Sequence, residues 1–593
     1  MLRKEIKKGM EKFNIELSKP NKQVYNHVLE KTKSRERSLI PANRYNNLYN
    51  INKYEHTNLR HIMNLKFLKH IPDIDKASEV IKKHIDNKNL IYQVIDYDVD
   101  GITSGAVGFL IFKKIFKYKR YKVIVNNRSW KNGVNETIIN DILEKHKKQP
   151  IGLVITSDHG SSDGDRLQRL KDAGIDVIVT DHHLPSESNS PLNIVDAFVN
   201  HKRIDSLFTN DITGTAVLYF TYLYYALKQL NIEKDKLDMF YDLLPYIGLT
   251  TISDSVDMGD WVNRKFVKFT LNVINSNRKL SPFWEVVKDR VFGTWFIDQE
   301  FISFNLVAKL NSPGRIANPE LSFKLMIADT LQKADYMLTE VEKINDERKQ
   351  IQNDAIKNLD IELTNTDLTV AYKKDISGIQ GILASKLLYK NQSTIAFCFT
   401  DEHEGTISGS ARSINKDVSL IELLNKLKNK DYILRYGGHA MACGVELKKD
   451  SVEDFYNDIN NLLKEKTINS THYIIDDIID NEKQLYKTFM SNVNELPYGQ
   501  NYSQPLYISK FKVINKKIIE KNGNTFLIGT IKLVTNNGLS KSNFKIFHTA
   551  ETRKEKERLL RLTDEEVLIV YNIGLNKYRE NKINITAEKI FYL

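Results

Sequence analysis

Cysteine is scarce in this chain: its 593 residues include only Cys398 and Cys443. Two thiols cannot build a disulfide framework, so we expect a protein of a reducing cytoplasm. Long apolar runs are also missing, since the longest strongly apolar stretch, 215–227, is too short and too interrupted to span a bilayer. Residues 1–17 are basic but have no apolar core, so no signal peptide is visible and we expect no membrane partner.

Negative charge is under-represented at the N-terminus. The chain has a formal net charge of +12, and residues 1–70 alone hold 16 Lys and Arg residues against 6 Asp and Glu residues. A local basic excess is typical of proteins that bind a phosphate backbone, although a solvated charged arm would have the same composition. The length of the chain predicts about three or four domains.

Short apolar runs alternate with amphipathic helical segments from about residue 76. The predicted strands are IYQVI (91–95), YKVIVNN (121–127), GLVITS (152–157) and DVIVT (176–180). Continuous apolar strands that alternate with helices indicate a doubly wound parallel sheet with both faces covered. Ligands of such sheets bind outside the carboxyl ends of the strands, so the residues that follow each strand are the candidate site.

Charged and imidazole side chains follow all four predicted strands, and a later apolar run ends in the same way. These residues are Asp96, Asp98 and Asp100; Arg128; Asp158; Asp181, His182 and His183; and Asp254. Any one of these ends could be a turn or a helix cap; Thr103 and Ser104, for example, look like caps of the next helix. Together they predict one polar rim at the edge of the sheet.

Several carboxylates on one rim repel each other unless a cation lies among them. Four carboxylates and one imidazole, from Asp98, Asp100, Asp158, His182 and Asp254, suit two divalent cations such as Mn²⁺ or Mg²⁺. Two such ions can activate water and clamp the oxygens of a phosphoryl group during in-line displacement. A phosphodiester substrate would also explain the nearby arginine and histidine.

The remainder of the chain divides by pattern. A mostly helical region, 271–360, predicts a packed connecting helix, because Met337, Leu338, Val341, Ile344 and Ile351 recur at helical spacing. A second α/β unit covers 361–470. From about residue 471 the pattern turns to β, and the Asn-Gly pairs in KNGNTF and TNNGLS predict hairpin turns.

The rim motifs carry a family resemblance. DYDVDG, SDHG, TDHH and SDSVDM occur in the order of the four motifs of the DHH phosphoesterase superfamily. Downstream, LNSPGR, GIQGILASKL, SGSARS and GGHAMACG resemble motifs of the bacterial RecJ single-strand exonucleases, and GGHAMACG also fits the DHHA1 substrate-binding domain. LPYGQNYSQPLY is similar to the segment that leads into the OB-fold of the RecJ family.

The resemblance implies roles at matching positions of this sequence. Metal ligands would be Asp98, Asp100, Asp158, His182 and Asp254, with Asp96 as a supporting or alternate ligand. Asp181 would orient the site, and His183 would contact the scissile phosphate or assist the leaving group. Substrate phosphates would be held by Arg128, Arg315, Arg412, Gly437, Gly438 and His439. Each arginine could instead be a structural cation. His159 departs from the family pattern and could add a ligand or tune proton transfer.

The fold class expected from the resemblance is two α/β lobes, DHH and DHHA1, joined by a long helix and followed by a C-terminal OB-fold. The expected division is a basic segment 1–75, a DHH domain 76–270, a connector 271–360, a DHHA1 domain 361–470 and an OB-fold 471–593. The expected activity is hydrolysis of single-stranded DNA from the 5′ end with two Mn²⁺ or Mg²⁺ ions.

The resemblance further suggests a monomer of a bacterial or phage-infected cytoplasm, with a single-strand-binding protein or a helicase as partner. Two other functions stay open at this point. One is a DHH phosphodiesterase for oligoribonucleotides or cyclic dinucleotides, and the other is a catalytically dead DHH scaffold of a replication complex. A long C-terminal β region disfavours the first, and the presence of every motif carboxylate disfavours the second.

Overall fold

Three sheet systems organise the molecule, and a long helix connects two of them. The computed structural model describes residues 1–130, 133–232, 234–391, 393–414, 418–464, 473–521, 524–550, 553–562, 564–576 and 583–593. Within these residues lie a five-stranded parallel sheet, a six-stranded mixed sheet and a closed five-stranded barrel. The predicted fold class, two α/β lobes joined by a long helix and followed by a barrel, is confirmed.

The N-terminal segment folds into short elements that pack onto other parts of the chain. These are α1 (Leu2–Lys12), β1 (Ile15–Leu17), α2 (Lys22–Thr32), α3 (Arg35–Ala42), α4 (Tyr49–His56), α5 (Leu59–Ile62) and α6 (Leu65–Leu68). Arg3 and Arg35 both form ion pairs with Asp477, and Arg44 pairs with Asp476. Part of the basic excess of this segment is therefore neutralised inside the fold.

The first lobe follows, over residues 74–274. Its elements are α7 (Ile74–Asp86), β2 (Leu90–Ile95), α8 (Val99–Leu110), β3 (Tyr121–Val125), α9 (Glu136–Lys148), β4 (Ile151–Ser157), α10 (Gly164–Asp172), β5 (Asp176–Thr180), β6 (Ala197–Val199), α11 (Gly214–Gln229), α12 (Lys234–Tyr241), α13 (Leu244–Ser253) and α14 (Trp261–Ile274). The four predicted strands are present, and β6 is an additional short strand. The apolar stretch 215–227 is a buried part of α11.

The strand order of the first lobe places a crevice beside β2. The five parallel strands run β3-β2-β4-β5-β6, so the chain moves to one side of β2 and then returns to the other. Residues of β2 alternate between two cores: Ile91 and Ile95 face the core of α8 and α11, and Tyr92 and Val94 face that of α9 and α10. The carboxyl ends of β2 and β4 thus lie at the topological switch point, where such sheets bind ligands.

The connector spans the two lobes with one long helix. Its helices are α15 (Pro282–Val287), α16 (Gln299–Ile302), α17 (Ala308–Leu310), α18 (Ser312–Ile316), α19 (Glu320–Met326) and α20 (Leu331–Lys357), and π-helical turns occur at Ile111–Ile115, Lys288–Phe292 and Ser303–Val307. On α20 the predicted core positions Leu338 and Val341 are fully buried. The same helix reaches the second lobe, where Ala355 joins its core.

The second lobe contains a mixed sheet. Its elements are β7 (Ile361–Thr364), β8 (Leu368–Tyr372), α21 (Gln380–Asn391), β9 (Ile395–Asp401), β10 (Thr406–Ser413), α22 (Leu420–Leu427), β11 (Ile433–Gly438), β12 (Ala442–Lys448) and α23 (Val452–Lys464). The strand order is β11-β12-β10-β9-β8-β7, and only β8 and β9 run parallel.

The C-terminal part forms a closed barrel. Its elements are β13 (Tyr473–Ile475), β14 (Asp477–Ile478), α24 (Glu482–Glu495), β15 (Tyr507–Lys521), β16 (Asn524–Thr535), β17 (Gly538–Leu539), β18 (Phe544–Ala550), α25 (Arg553–Arg561), β19 (Glu566–Leu575) and β20 (Ile583–Tyr592). Strands β15, β19, β20, β18 and β16 pair in turn, and β16 pairs with β15 to close the ring, as in an OB-fold. Gly538 confirms the second predicted hairpin, whereas Asn522 and Gly523 of the first lie outside the described residues.

Arg264 fixes the segment before the barrel to the first lobe. Its guanidinium lies 3.9 Å from the centroid of the Tyr502 ring and donates to the carbonyl oxygens of Glu495 and Pro497, each at 2.9 Å. Arg264 is buried, so these contacts replace the water that its charge would otherwise need. Among the described helices, none is long and apolar enough to cross a membrane.

Candidate metal and phosphate site

The loop after β2 holds its three aspartates in different ways. The Asp98 carboxylate caps α8, accepting hydrogen bonds from the backbone amides of Asp100 at 3.0 Å and Gly101 at 3.1 Å. A Cβ on Gly101 would lie 2.6 Å from the Asp96 carbonyl oxygen, so this tight turn requires glycine. The prediction that Thr103 and Ser104 cap the helix is wrong, because α8 begins at Val99 and both lie inside it.

Asp100 is buried and held by the start of another helix. Its carboxylate accepts hydrogen bonds from the amides of Gly214 at 2.7 Å and Thr215 at 3.0 Å, the first residues of α11. The Thr215 hydroxyl also donates to the Asp100 carbonyl oxygen. Amides at a helix N-terminus stabilise an ionised carboxylate, so α11 holds Asp100 in a position suited to a ligand.

His182 lies at the centre of the candidate site. Its Nε2 is 3.2 Å from Asp158 Oδ1, 3.5 Å from Asp254 Oδ2 and 3.8 Å from Asp100 Oδ2. Both ring nitrogens of His182 and the Oδ1 of Asp158 are buried without a hydrogen-bond partner among the described residues. Buried polar atoms are rarely left unpaired unless a ligand or ion completes them. These atoms therefore fit the coordination of a metal ion.

Ligand atoms converge in three overlapping groups. Within each group they lie within 4.8 Å of one another, and the groups are Asp96 with Asp98 and Asp158; Asp158 with His182 and His183; and Asp100 with His182 and Asp254. All six residues expected to be metal ligands are thus brought together, and we call them the acidic cluster. Asp158 and His182 each belong to two groups, which is the arrangement that two neighbouring ions need.

The electrostatics of the acidic cluster favour a bound cation. Burial, reinforced by the neighbouring carboxylates, raises the pKa of Asp98 to about 6 and that of Asp254 to about 8. The same causes raise the pKa of Asp158 well above its ordinary value. Burial lowers the pKa of His182 to about 4, which leaves the ring neutral, the form that binds metals.

Asp181 supports the cluster without joining any of the ligand groups. Its carboxylate accepts from the amides of Ser161, His182 and His183 and from the His183 Nδ1 at 2.8 Å. This contact leaves Nε2 as the ring nitrogen of His183 that is free to face a ligand, and 59% of the side chain is exposed. Burial, which lowers the pKa of His183, is outweighed by Asp181, and the pKa rises to about 9.

His159 does not join the ligand groups. Its Nε2 lies 3.1 Å from the Val94 carbonyl oxygen, under the sheet edge. The expectation that it adds a ligand is therefore not supported by its position.

A second cluster consists of arginines next to the acidic loop. Arg128 Nε donates to the Gly314 carbonyl oxygen at 3.3 Å, and its guanidinium lies 4.5 Å from the Tyr97 ring centroid. Arg315 Nη1 donates to the carbonyl oxygen of Gly378 at 3.0 Å. Because Gly378 has a φ of +89°, the backbone there adopts a conformation that favours glycine.

Arg412 approaches from the second lobe. Its Nη1 donates to the Ala411 carbonyl oxygen at 2.7 Å, and its Nη2 lies 2.7 Å from the position that a Cβ on Gly381 would occupy. Gly381 is in the first turn of α21, so backbone amides of that turn lie near the guanidinium. We call Arg128, Arg315 and Arg412, together with Arg348 of α20, the arginine cluster.

No carboxylate pairs with an arginine of this cluster in the described part of the chain. Burial, reinforced by Arg128 and Arg348, lowers the pKa of Arg315 to about 10. Burial also lowers the pKa of Arg412. Half-buried and buried cations without acidic partners indicate an anion site.

Sequence reasoning missed Arg348 on α20. It is 8% exposed and donates to Asn345 Oδ1 at 2.7 Å and Gln352 Oε1 at 2.8 Å, while its Nε has no hydrogen-bond partner in the described structure. Its helix has apolar positions that predict a packed core, so one arginine there is only a weak sequence signal of a binding site. Its meaning depends on where α20 packs.

The glycine-rich turn of the second lobe is exposed. Gly437, Gly438 and His439 lie at the β11–β12 hairpin, where the His439 amide donates to the Ala442 carbonyl oxygen at 2.7 Å. Gly438 has a φ of +133°, and open space surrounds the Cβ position of Gly437. No hydrogen bond or ion pair in the described residues links His439 to either cluster.

Comparisons with known proteins agree with this architecture. Residues 90–244 match the model of the DHH family, N-terminal domain, and residues 365–465 match that of the DHHA1 domain. The single-stranded-DNA-specific exonuclease RecJ of Haemophilus influenzae is 27% identical over 78% of this chain and 84% of its own length. RecJ of Escherichia coli is 23% identical over 86% of this chain and 88% of its own length.

A solved structure shares the fold over nearly the whole molecule. The crystal structure of RecJ from Thermus thermophilus in complex with Mn²⁺ has a TM-score of 0.75 and 17% sequence identity, covering 98% of this chain and 80% of that chain. The two family domains occur here in order, followed by the closed barrel. This chain therefore contains a DHH-family domain and a DHHA1 domain, and over most of its length it is similar to the RecJ-type proteins.

Proposed function

We propose that this protein is a divalent-metal-dependent exonuclease that hydrolyses single-stranded DNA. The observation that carries the proposal is the adjacency of two clusters of opposite charge, one of converging metal-ligand atoms and one of arginines without acidic partners among the described residues. Relatives named single-stranded-DNA-specific exonucleases cover most of the chain and support the substrate class.

The acidic cluster would hold two ions, Mn²⁺ or Mg²⁺. Asp96, Asp98 and Asp158 would contribute to one and Asp100, His182 and Asp254 to the other, and the two sets meet where His182 Nε2 lies 3.2 Å from Asp158 Oδ1. The bound ions would supply Lewis acidity toward water and the phosphate oxygens. Carboxylate oxygens and one neutral imidazole suit these hard cations, whereas a structural zinc site would use thiolates.

Asp181 and His183 would act on the substrate side of the ions. Asp181 accepts from His183 Nδ1, so it fixes the ring and directs Nε2 outward. His183 would then donate a hydrogen bond to the scissile phosphate or to the leaving oxygen. This division makes Asp181 a positioning residue and His183 the group that meets the substrate.

The arginine cluster would hold phosphates of the strand. Arg128, Arg315 and Arg412 come from the first lobe, the connector and the second lobe, so a strand end bound there would contact all three parts. The exposed turn with Gly437, Gly438 and His439 would allow close approach of the backbone to a further phosphate. Release from the 5′ end is the polarity that the family resemblance implies.

The barrel offers a surface for the rest of the strand. Phe526 of β16 and Phe547 of β18 stack with ring centroids 5.7 Å apart at 26°, and both are only partly buried. On the same face Lys517 pairs across from Ile528, and Lys545 is exposed beside them. Aromatic platforms with flanking lysines bind single strands without sequence preference.

These features disfavour the two other functions. A phosphodiesterase for cyclic dinucleotides or short oligoribonucleotides has no need of the barrel surface. A dead scaffold has no need of the complete acidic cluster. The division into 1–75, 76–270, 271–360, 361–470 and 471–593, a monomeric state, a bacterial or phage-infected cytoplasm, and a single-strand-binding or helicase partner are proposals that the resemblance carries.

The test is digestion of 5′-labelled and 3′-labelled single strands and of blunt duplex with Mn²⁺. Wild type should release mononucleotides from the 5′ label and leave the duplex intact. EDTA and Asp100→Ala should abolish release, while Asp86→Asn, at an exposed ion pair of α7, should not. Tight strand binding with no cleavage of any substrate would refute the nuclease and favour the scaffold.

A further inference from the structure

A pocket beside the acidic cluster has no role in the function described so far. Its volume is about 280 Å³, and Ile252 and Ser255, which flank Asp254 in sequence, form one side. The π-helical turn Ser303–Val307 and the loop 498–504 form the other sides. The pocket is therefore next to the proposed metal centre and is large enough for one small planar group.

The lining is polar and almost uncharged. Amide side chains come from Gln299, Gln500 and Gln504, and hydroxyls come from Ser303 and Ser503. Neither lysine nor arginine is among the described lining residues, and the one charged side chain is that of Glu300. A phosphate would be repelled here, so the chemistry suits a neutral group with several hydrogen-bonding atoms.

Two features of the residues that line the pocket indicate that it binds a ligand. The Phe304 side chain is 74% exposed on the π-helical turn, although burial of an aromatic ring is favourable. The Oε1 of Gln299 is buried without a hydrogen-bond partner among the described residues. π-Helical turns occur frequently at functional sites. A planar ligand would cover the ring, and rotation of the Gln299 side chain toward the pocket would give its amide oxygen a partner.

The loop side of the pocket is held rigidly. The Met258 amide donates to the Gln500 carbonyl oxygen at 2.9 Å, and the rings of Tyr498 and Tyr502 stack with centroids 6.1 Å apart. Arg264 packs on Tyr502 from the first lobe. The pocket is thus preformed, and a ligand would not have to order it.

We propose that this pocket binds a nucleobase of the DNA strand next to the scissile phosphate. Phe304 would stack on the face of the base, and the side chains of Gln299, Gln500 and Gln504 would hydrogen-bond its edge. Amides both donate and accept, so the pocket would accept all four bases while rejecting a site without a base. This inference rests on the proposed nuclease function and names a subsite of it.

The test combines a substrate change with a protein change. Single strands that carry one abasic residue, placed in turn at each of the first positions from the 5′ end, are compared with the intact strand in single-turnover digestion. One abasic position should lower wild-type kcat/KM by about 5- to 100-fold, the range of stacking on an aromatic side chain. Phe304→Ala should lower cleavage of the intact strand by a similar factor and abolish the discrimination against that abasic strand.

Matched variants separate stacking from general damage. Phe304→Tyr keeps a ring and should keep the discrimination. Tyr336→Ala removes an aromatic side chain of 60% exposure on α20 and should change nothing. Equal cleavage of all abasic strands by wild type, or additive losses in Phe304→Ala, would overturn the subsite. Failure of wild type to cleave any strand would instead overturn the nuclease function itself.

Discussion

The acidic cluster and the arginine cluster lie next to each other, carry opposite charges and are held by different backbone groups. The acids follow strands and helices of a single lobe, and backbone amides hold them, as with Asp100 on α11. The arginines come from three parts of the chain, and backbone carbonyls hold three of them, as with Arg315 on Gly378, while side-chain amides hold Arg348. Both sets are buried or half-buried with like charges together, so each needs a ligand of the opposite charge.

The pKa values indicate that the protein itself does not neutralise the charges of either cluster. Burial raises the pKa of Asp254 to about 8, and burial lowers that of Arg315 to about 10. Each shift reduces the charge that its cluster would carry. Bound cations would reverse the first shift, and a bound phosphate would reverse the second. The comparison therefore predicts two classes of variant with separable defects.

The largest effect is expected from the residue shared between ligand groups. Asp158→Ala should lower the cleavage rate by more than about 10³-fold, because metal-ion stabilisation contributes several kcal/mol. Binding of single strands in EDTA, measured by fluorescence anisotropy, should stay near the wild-type value. Asp172→Asn at the end of α10 is the matched control. A loss of strand binding equal to the loss of cleavage would show that the two clusters do not have separate functions.

A smaller and different defect is expected from the arginine cluster. Arg315→Gln should weaken strand binding by about 10- to 100-fold, since a hydrogen bond to a charged group contributes about 1.5–3 kcal/mol. The slope of log K against log salt should fall by about one unit. Titration calorimetry should find Mn²⁺ binding unchanged.

Arg169→Gln is the control for this variant, since it removes an arginine that pairs with Glu136 on the far side of the sheet. Loss of Mn²⁺ binding in Arg315→Gln would show that the two clusters form one unit.

A third defect is expected from Asp181 and His183, which contact the acidic cluster. Asp181→Asn should lower kcat by about 10- to 100-fold, the usual cost of removing a group that orients a ligand. The asparagine keeps an acceptor for the amides, yet it leaves His183 without its anionic partner. His183→Gln should lower kcat by a similar factor, and the double variant should be no worse than either single one. Additive losses in the double variant would argue against a shared role.

The smallest effect concerns thermal stability. The pKa values of Asp98 and Asp254 in the folded protein, about 6 and about 8, exceed the ordinary aspartate value of 3.8. At these two carboxylates the metal-free folded state binds more protons than the unfolded state, so their contribution to stability falls as the pH rises from about 4 to about 8. The increase in Tm on adding Mn²⁺ should be larger at pH 8 than at pH 5. An increase that is constant across this range would contradict the charge account.

The acidic cluster was predictable because parallel strands end at one edge. An apolar strand followed by charged residues signals its site locally, as at Asp158 and His182. The cap of α8 was mispredicted because Asp98 reaches two amides that a motif does not reveal. Helix α24 was missed since the surrounding pattern is β.

Long-range pairing explains the remaining surprises. Arg35 and Arg44 of the N-terminal segment form ion pairs with Asp477 and Asp476, more than 400 residues away in sequence. Arg348 belongs to the arginine cluster only because α20 packs against α18, which carries Arg315, and against α21 of the second lobe. Neither partner can be deduced from local spacing, since each depends on how distant elements pack.

Under the proposed function, the acidic cluster would hold two ions, one on each set of three ligand residues. Anomalous diffraction at the manganese edge, from crystals grown with Mn²⁺, tests it most directly. We expect two peaks, one beside Asp96, Asp98 and Asp158 and one beside Asp100, His182 and Asp254, with none among the arginines. A single peak, or a peak away from these residues, would contradict the two-ion centre.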